Sequence, residues 1–292
     1  MDADDVFEEH RGLLEGLAYR LCGVRADAED LVQETYLRWR AGDRTQIRDP
    51  RAWLVTVCSR LAMDFLKSAR RRRETYVGVW LPEPYLDGAD PNPAAQARVD
   101  DSVSFALMVA LETLTPAERA AFLLHDVFGY GFDEVAVILR KSEPSCRKLA
   151  SRARVAVRRG KPRFPGSAEE HRRLLETFFA AAHSGEMNRL KELLTESVEL
   201  HSDGGGQVPT APGVLCGAER VAEFFVTIWR HRDPAGDRIR AEPRWFNGGP
   251  GLLLFFDNRL VAALSATVTG GKIDRIFALR NPRKLTAFSG SA

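Results

Sequence analysis

Between residues 143 and 159, Ser145, Arg147, Lys148, Ser151, Arg152 and Arg154 share one face of a helix. The opposite face carries Cys146, Leu149, Ala150, Ala153 and Val157. Cations grouped in this way neutralise phosphates, and one or two arginines reach guanine edges in a major groove. A solvated basic helix would show the same charges. What precedes it narrows the choice: a Gly129-Tyr130-Gly131 turn, a helix with Phe132, Val135, Ala136 and Leu139 inward, and the short turn Arg140-Lys141-Ser142. Two short helices across such a turn fit a helix-turn-helix, although the usual turn glycine is absent.

Three further constellations carry chemistry. Thr56, Arg60, Asp64 and Lys67 lie opposite an apolar stripe of Trp53, Leu54, Val57, Leu61 and Phe65, and lead into the run Arg70, Arg71, Arg72, Arg73. Cations beside aromatic residues suit a nucleic-acid surface, while an arginine run alone also suits a solvated helix end. Asp30, Gln33 and Leu37 fall at i, i+3 and i+7, away from the inward set Leu31, Val32, Tyr36 and Trp39. DNA is repelled there, so a protein partner with a basic groove fits; so does a plain exposed face. Finally, His201 and Asp203 have same-face strand spacing, and Trp229, Trp245, Phe246, Phe255 and Phe256 are candidates to line a cavity. An acid–base pair in an apolar pocket would serve a cyclase or isomerase. The simpler reading is preferred: the aromatics fill a core and His201 is a structural neighbour of the loop. A ligand-sensing pocket without turnover lies between the two.

The elements that must position these residues are legible from periodicity and punctuation. Asp27 with Asp30 resembles a capping box, and Asp49-Pro50 supplies an N-cap followed by proline at the first helical position. Pro82, Pro84, Pro91 and Pro93 with Gly78 and Gly88 break residues 74–98 into a linker. That linker also holds Tyr76, Trp80, Leu81 and Tyr85, too many large apolar groups for a solvated spacer, so it is expected to dock. Helical periodicity resumes over 99–160, with starts near Thr115-Pro116 and Ser142. After a second linker at 160–166 come helices near 168–184, 186–195 and 217–231, a strand at 198–201, and strand-like runs at 238–246, 251–256, 260–268 and 273–279. Asn247-Gly248-Gly249, Asp257-Asn258 and Gly270-Gly271 mark hairpins between those runs. This pattern predicts an α+β unit with helices on one face of a sheet.

Composition sets outer bounds. The chain has 292 residues, room for two or three domains, and its 42 basic and 40 acidic side chains leave a net charge of +2. The sum hides an asymmetry: residues 1–49 hold 12 acidic and 7 basic groups, and residues 140–163 hold 10 basic and 1 acidic. Cys22, Cys58, Cys146 and Cys216 lack zinc-site spacing and are expected to be reduced packing residues. No metal, cofactor or membrane span is expected, and the acidic N-terminus argues for a cytoplasmic protein.

The stretches DAEDLVQETYLRWR, DPRAWLVTVCSRLAMDFL, LTPAERAAFLLHDVFGYGFDEVAVIL and SRAR closely resemble the extracytoplasmic-function sigma factors of bacteria. The linker YVGVWLPEP, the motif DGGGQV and the closing NPRKL resemble the branch in which a SnoaL-like domain follows the second DNA-binding domain. The resemblance covers nearly the whole chain. It implies a multidomain fold: two all-α DNA-binding domains, the second a helix-turn-helix, then an α+β curved-sheet (cone or half-barrel) domain. The boundaries expected are 1–74 for core-polymerase binding and the minus-ten element, 75–98 for the linker, 99–161 for the minus-thirty-five element, 162–167 for a short linker and 168–292 for the regulatory domain.

The resemblance also implies roles. Asp30, Gln33, Glu34 and Leu37 would bind core RNA polymerase. Arg60, Asp64, Lys67 and Arg70 to Arg73 would melt and read the minus-ten element of promoter DNA, and Ser145, Arg147, Lys148, Ser151 and Arg152 would read the minus-thirty-five element. Asp203, Gly204, Gly205 and Gly206, with Asn281 and Pro282, would hold the linker residues Trp80, Leu81, Pro82, Glu83 and Pro84 and so regulate in cis. The alternative is a cyclase- or isomerase-type enzyme, or a ligand sensor, at His201, Trp229, Trp245 and Phe255. The family implies no enzymatic activity, and the free protein is expected to be monomeric. Departures from the branch are Gln207 for lysine, Arg283 for aspartate and Val79 for proline.

Overall fold

The computed structural model describes residues 3–43, 45, 47–74, 76–86, 104–160, 167–232 and 238–288. Much of the expected linker, including Gly88, Pro91 and Pro93, and all of 161–166 lie outside the described residues. So do the side chains of Arg70, Arg71, Arg72 and Arg73. The chain forms two units, Met1–Thr75 with Leu107–Gly160, and Tyr76–Ala106 with Lys161–Ala292.

In the first unit, α1 (Ala3–Cys22), α2 (Arg25–Ala41) and α3 (Pro50–Glu74) pack mutually. Asp49 caps α3 as expected, its carboxylate accepting from the Ala52 amide at 3.0 Å. The capping box expected at Asp27 is not formed: α2 begins at Arg25 behind Val24, which makes no side-chain cap, and Asp27 sits inside the first turn. There its charge still favours the positive end of the helix dipole. On α3 the buried apolar set is Leu54, Val55, Cys58, Ala62 and Leu66, one position beyond much of the expected stripe. Small groups at 58 and 62 let α1 and α2 approach closely. Half-buried Trp53 instead packs at the edge against Trp39, ring centroids 5.5 Å apart. Bulk alone does not locate the centre of a helix face packed by two neighbours.

The chain then runs through α4 (Phe105–Glu112), α5 (Pro116–Phe122), a π turn (Leu123–Val127), α6 (Phe132–Leu139) and α7 (Glu143–Gly160). Thr115 and Glu118 form a reciprocal capping box on α5. Between α6 and α7, Arg140 occupies the left-handed region at φ 52°, ψ 49°, where a glycine is usual. The absent turn glycine is thus replaced by a strained arginine, at about 1–2 kcal/mol. Arg119 is buried, donating to Leu21 O at 2.7 Å and Leu111 O at 2.9 Å, and burial lowers its pKa to about 10. Cys22, Cys58 and Cys146 are buried and Cys216 is exposed; burial pushes the Cys58 thiol up to about 12.

The second unit contains α8 (Ala168–Ser184), α9 (Met187–Leu193), β1 (Leu194–Asp203), β2 (Leu215–Cys216), α10 (Ala218–Arg232), β3 (Ile239–Phe246), β4 (Gly249–Phe256), β5 (Arg259–Thr269), β6 (Lys272–Leu279) and α11 (Pro282–Leu285). The strands make one curved mixed sheet in the order β2-β1-β6-β5-β4-β3. The three hairpins between β3 and β6 turn where the sequence signals them; Asn247 and Gly248 both take positive φ, the requirement of a tight two-residue turn. β1 joins β6 in parallel, so Asp203 pairs with Leu279 and both strands end at the same edge. Register shifts in three of the strand pairs accompany the curvature.

One face of this sheet packs Leu200, Leu252, Leu254, Leu264 and Ala278 against Phe178 of α8 and Phe225 and Trp229 of α10. The other face is covered as well, which the sequence pattern did not predict. Phe105 stacks on Phe277 at 5.9 Å and meets Phe246 edge-on, and Phe288 packs on Phe246. β4 is consequently buried from Pro250 through Leu254 with no alternation. The architecture is the one expected: helical domains followed by an α+β curved-sheet domain.

Candidate nucleic-acid surface and linker seat

On α7, Ser145, Arg147, Lys148, Ser151 and Arg152 are exposed, whereas Cys146, Ala150, Ala153 and Val157 are buried against the unit. Leu149 is half-buried. The amphipathic split therefore presents the expected polar face outward. Its charges are tethered only at the surface: Arg147 pairs with Glu143 at 2.5 Å and lies over the Phe132 ring at 4.7 Å, and Arg152 stands 3.9 Å from Glu118. Arg154 is held more firmly by Asp126 at 2.7 Å. Exposed pairs of this kind are weak, so a phosphate can displace them.

The α3 residues separate. Asp64 and Lys67 form an exposed pair at 2.7 Å. Arg60 does not point freely outward: its guanidinium donates to Val137 O at 2.8 Å and Ile138 O at 2.9 Å, carbonyls in the last turn of α6. These are the negative end of that helix. Burial, with the neighbouring Arg140 charge, lowers the Arg60 pKa. On α2, Asp30, Gln33 and Leu37 are exposed and Glu34 is half-buried, paired with Arg38 at 2.9 Å. Leu37 is 53% exposed, an apolar group set among acidic and amide side chains with nothing over it among the described residues.

In the second unit the linker residues meet the end of β1 and the C-terminal turn. Asp203 is fully buried. Its Oδ1 accepts from the Tyr76 hydroxyl at 2.6 Å and the Gly205 amide at 2.9 Å, and its Oδ2 accepts from the Leu81 amide at 3.0 Å and Lys284 Nζ at 2.7 Å. Lys284 Nζ also donates to Leu81 O at 2.5 Å and lies over the Trp80 ring at 4.4 Å and the Tyr76 ring at 5.2 Å. Asn281 completes the ring: its amide nitrogen donates to the Tyr76 oxygen at 2.9 Å, while its oxygen caps α11 through the Arg283 amide at 3.1 Å. Burial, then the Asp203 carboxylate, raises the Tyr76 pKa and keeps it the donor. Leu81, Pro82 and Pro84 are buried, and Trp80 and Glu83 are half-buried. Farther along, Tyr85 and Asn247 bind each other, Tyr85 N to Asn247 Oδ1 at 2.9 Å and Asn247 N to Tyr85 O at 2.8 Å.

Gly205 has φ +61°, and a Cβ there would run into the Asn281 amide, so only glycine fits. The sequence singled out Asp203, Gly204, Gly205, Gly206, Asn281 and the linker, and the structure brings them together; Pro282 begins α11 and is exposed. Tyr76 and Lys284 were missed as polar partners, although Lys284 stands within the quoted NPRKL. The departures at Gln207 and Arg283 fall on exposed positions and leave the buried ion pair intact.

The pocket residues are not brought together. Strand alternation puts His201 on the face opposite Leu200 and Ser202, beside Phe277 and 3.0 Å from Glu199. Trp229 lies in the core on the other face. Trp245 is 41% exposed, and Phe255 sits under the Arg240 guanidinium at 4.3 Å. Burial lowers the His201 pKa, with Glu199 opposing. Among the described residues no cluster of three metal-ligating side chains occurs, and no helix is long and apolar enough to cross a membrane.

Residues 6–72 match the model of Sigma-70 region 2 and residues 104–157 that of Sigma-70, region 4. The chain is 40% identical over 290 residues to the ECF RNA polymerase sigma factor SigJ of Mycobacterium tuberculosis, covering 96% of this chain and 92% of that one. The chain belongs to the extracytoplasmic-function RNA polymerase sigma factors. A second relative of this sigma factor, the probable ECF RNA polymerase sigma factor SigI of the same organism, is 34% identical over 283 residues, or 94% of this chain and 92% of the relative. The crystal structure of SigJ superposes with a TM-score of 0.76 at 36% identity, covering 98% of each chain. As a sigma factor, the protein binds core RNA polymerase and directs promoter-specific initiation.

Proposed function

We propose that this sigma factor is controlled in cis by the seating of its interdomain linker on the C-terminal domain, with Asp203 as the latch. The carrying observation is the buried Asp203–Lys284 pair, both of whose members also bind the linker at Leu81. Removing one partner of such a pair leaves an uncompensated charge, which costs about 3–5 kcal/mol. The seat is therefore a two-state contact rather than a loose brush of surfaces. The segments take the roles anticipated for 1–74, 75–98, 99–161, 162–167 and 168–292.

Within those segments, the exposed Asp30, Gln33 and Leu37 face, with Glu34, meets the polymerase. Asp64, Lys67 and the following arginines serve the minus-ten element, joined by Arg60 once it releases Val137 and Ile138. Ser145, Arg147, Lys148, Ser151 and Arg152 read the minus-thirty-five element in the major groove. Run-off transcription with core polymerase tests the latch. Asp203→Asn and a chain ending before Asn281 should shift transcript yield in the same direction and by several-fold. Yields equal to wild type in both would refute control through this contact.

A further inference from the structure

The second unit contains two adjoining spaces that the linker seat does not use. One is an apolar cavity of about 50 Å³ on the helix-covered face of the sheet, walled by Phe224, Phe225, Ile228 and Trp229 of α10 and by Leu254 and Leu264. The other is a cleft of about 390 Å³ opening beside it, between Val208, Pro209, Leu260, Pro282 and Leu285. Arg280 and Val261 line both, so these two side chains form the partition. The cleft alone falls within the range of small-molecule sites, about 300–1,000 Å³. No carboxylate among the described residues lines either space, and the one charged group is the Arg280 guanidinium. The indole N–H of Trp229 is buried without a partner among the described residues. A buried donor left in that state calls for an explanation.

We propose that this cleft and cavity form a binding site for a monoanionic amphiphile, a carboxylate on an apolar body, with Arg280 taking the head group. The walls set the chemistry. Apolar surface on both sides of the partition accepts a hydrocarbon body, the planar guanidinium matches a carboxylate, and among the described residues the lining supplies no acid to oppose an anion.

Arg280 also connects the site to the latch. Its backbone N–H donates to Asp203 O at 2.7 Å, its guanidinium donates to Pro209 O, and the next residue is Asn281. A head group that draws the guanidinium from Pro209 acts on the loop 204–209, whose first residues pack against Asn281. Occupancy and linker seating then differ in free energy, and the two equilibria are coupled. This coupling rests on the latch reading above; the site itself does not.

Calorimetric titration of the full chain with sub-micellar decanoate tests the site. Saturable one-to-one binding is expected, weakened at least ten-fold for decanol and for Arg280→Gln, and weakened likewise by Ala262→Phe, which fills the inner cavity. Thermal unfolding within a few degrees of wild type shows that Arg280→Gln is folded. Asp203→Asn should still bind decanoate. In run-off transcription, decanoate should move wild-type yield in the direction that Asp203→Asn does and leave Arg280→Gln unmoved. Absence of binding, or equal binding of decanol or by Arg280→Gln, overturns the site. Binding with no change in transcript overturns the coupling. If Asp203→Asn leaves transcription at wild type while decanoate still binds, the latch fails and the site stands.

Discussion

The outer face of α7 and the seat around Asp203 use charge in opposite ways. On α7, Arg147 and Lys148 stand in water, and Arg147 is held only by its one-turn pair with Glu143 and by the Phe132 ring, contacts that a phosphate can replace. At the seat, Asp203 and Lys284 are withdrawn from water and saturated by internal partners. Charge left exposed is available to an outside partner and contributes little to folding. Charge taken inside becomes costly to disturb and unavailable to anything else.

The sharpest break in this contrast is Lys284→Met. It strands Asp203 in the interior and should destabilise the second unit by about 3–5 kcal/mol, read as a lower urea midpoint of the full chain. Pairing it with Asp203→Asn should recover part of the loss. Lys148→Ala should do the reverse: the urea midpoint stays put, to within about 0.5 kcal/mol of stability. Promoter binding weakens, and the slope of log K against log salt falls by about one. A large stability loss in that variant would erase the distinction between the two regions.

Gly205→Ala probes the backbone of the seat rather than its charge. Positive φ and the adjacent Asn281 amide together predict a loss of about 1–2 kcal/mol, without any change in promoter affinity of the isolated helix-turn-helix contacts. The smallest effect concerns pH. His171 and His201 are held below the ordinary 6.5 by burial. As pH falls through 6.5 the unfolded chain takes up these protons first. Their contribution to stability is complete above that pH and diminishes below it. The melting temperature should fall between pH 7.5 and 5.5, and His171→Gln should flatten the slope.

The DNA-facing half of the molecule was readable because its signals are local. Capping at Asp49 and Thr115 and the period of Ala150, Ala153 and Val157 all act within a few residues. The seat was readable only in part. Asp203 and the glycines stand out as a motif, but nothing near Tyr76 or Lys284 says that they share a carboxylate, because their contact spans more than eighty residues in either direction. The residues of the alternative pocket are kept apart for a related reason. His201 and Trp229 have suitable chemistry, yet a strand's two-residue alternation sends His201 to the face away from Trp229, and one residue's phase is invisible without the sheet. Arg60 is the remaining surprise, a helix-face cation whose partners are the carbonyls of a helix 77 and 78 residues later.

The parallel pairing of β1 with β6 has a consequence in time. Lys284 follows Leu81 by 203 residues. A ribosome adding about 5–20 residues per second needs about 10–40 s to cover that distance. Every residue of the helical unit has been synthesised by Gly160, while the seat for its linker still awaits the last strand and the turn after it. Each new molecule therefore begins life with its helical unit made and its linker seat unbuilt, and the Asp203–Lys284 pair closes only when the final strand and the turn after it are laid down.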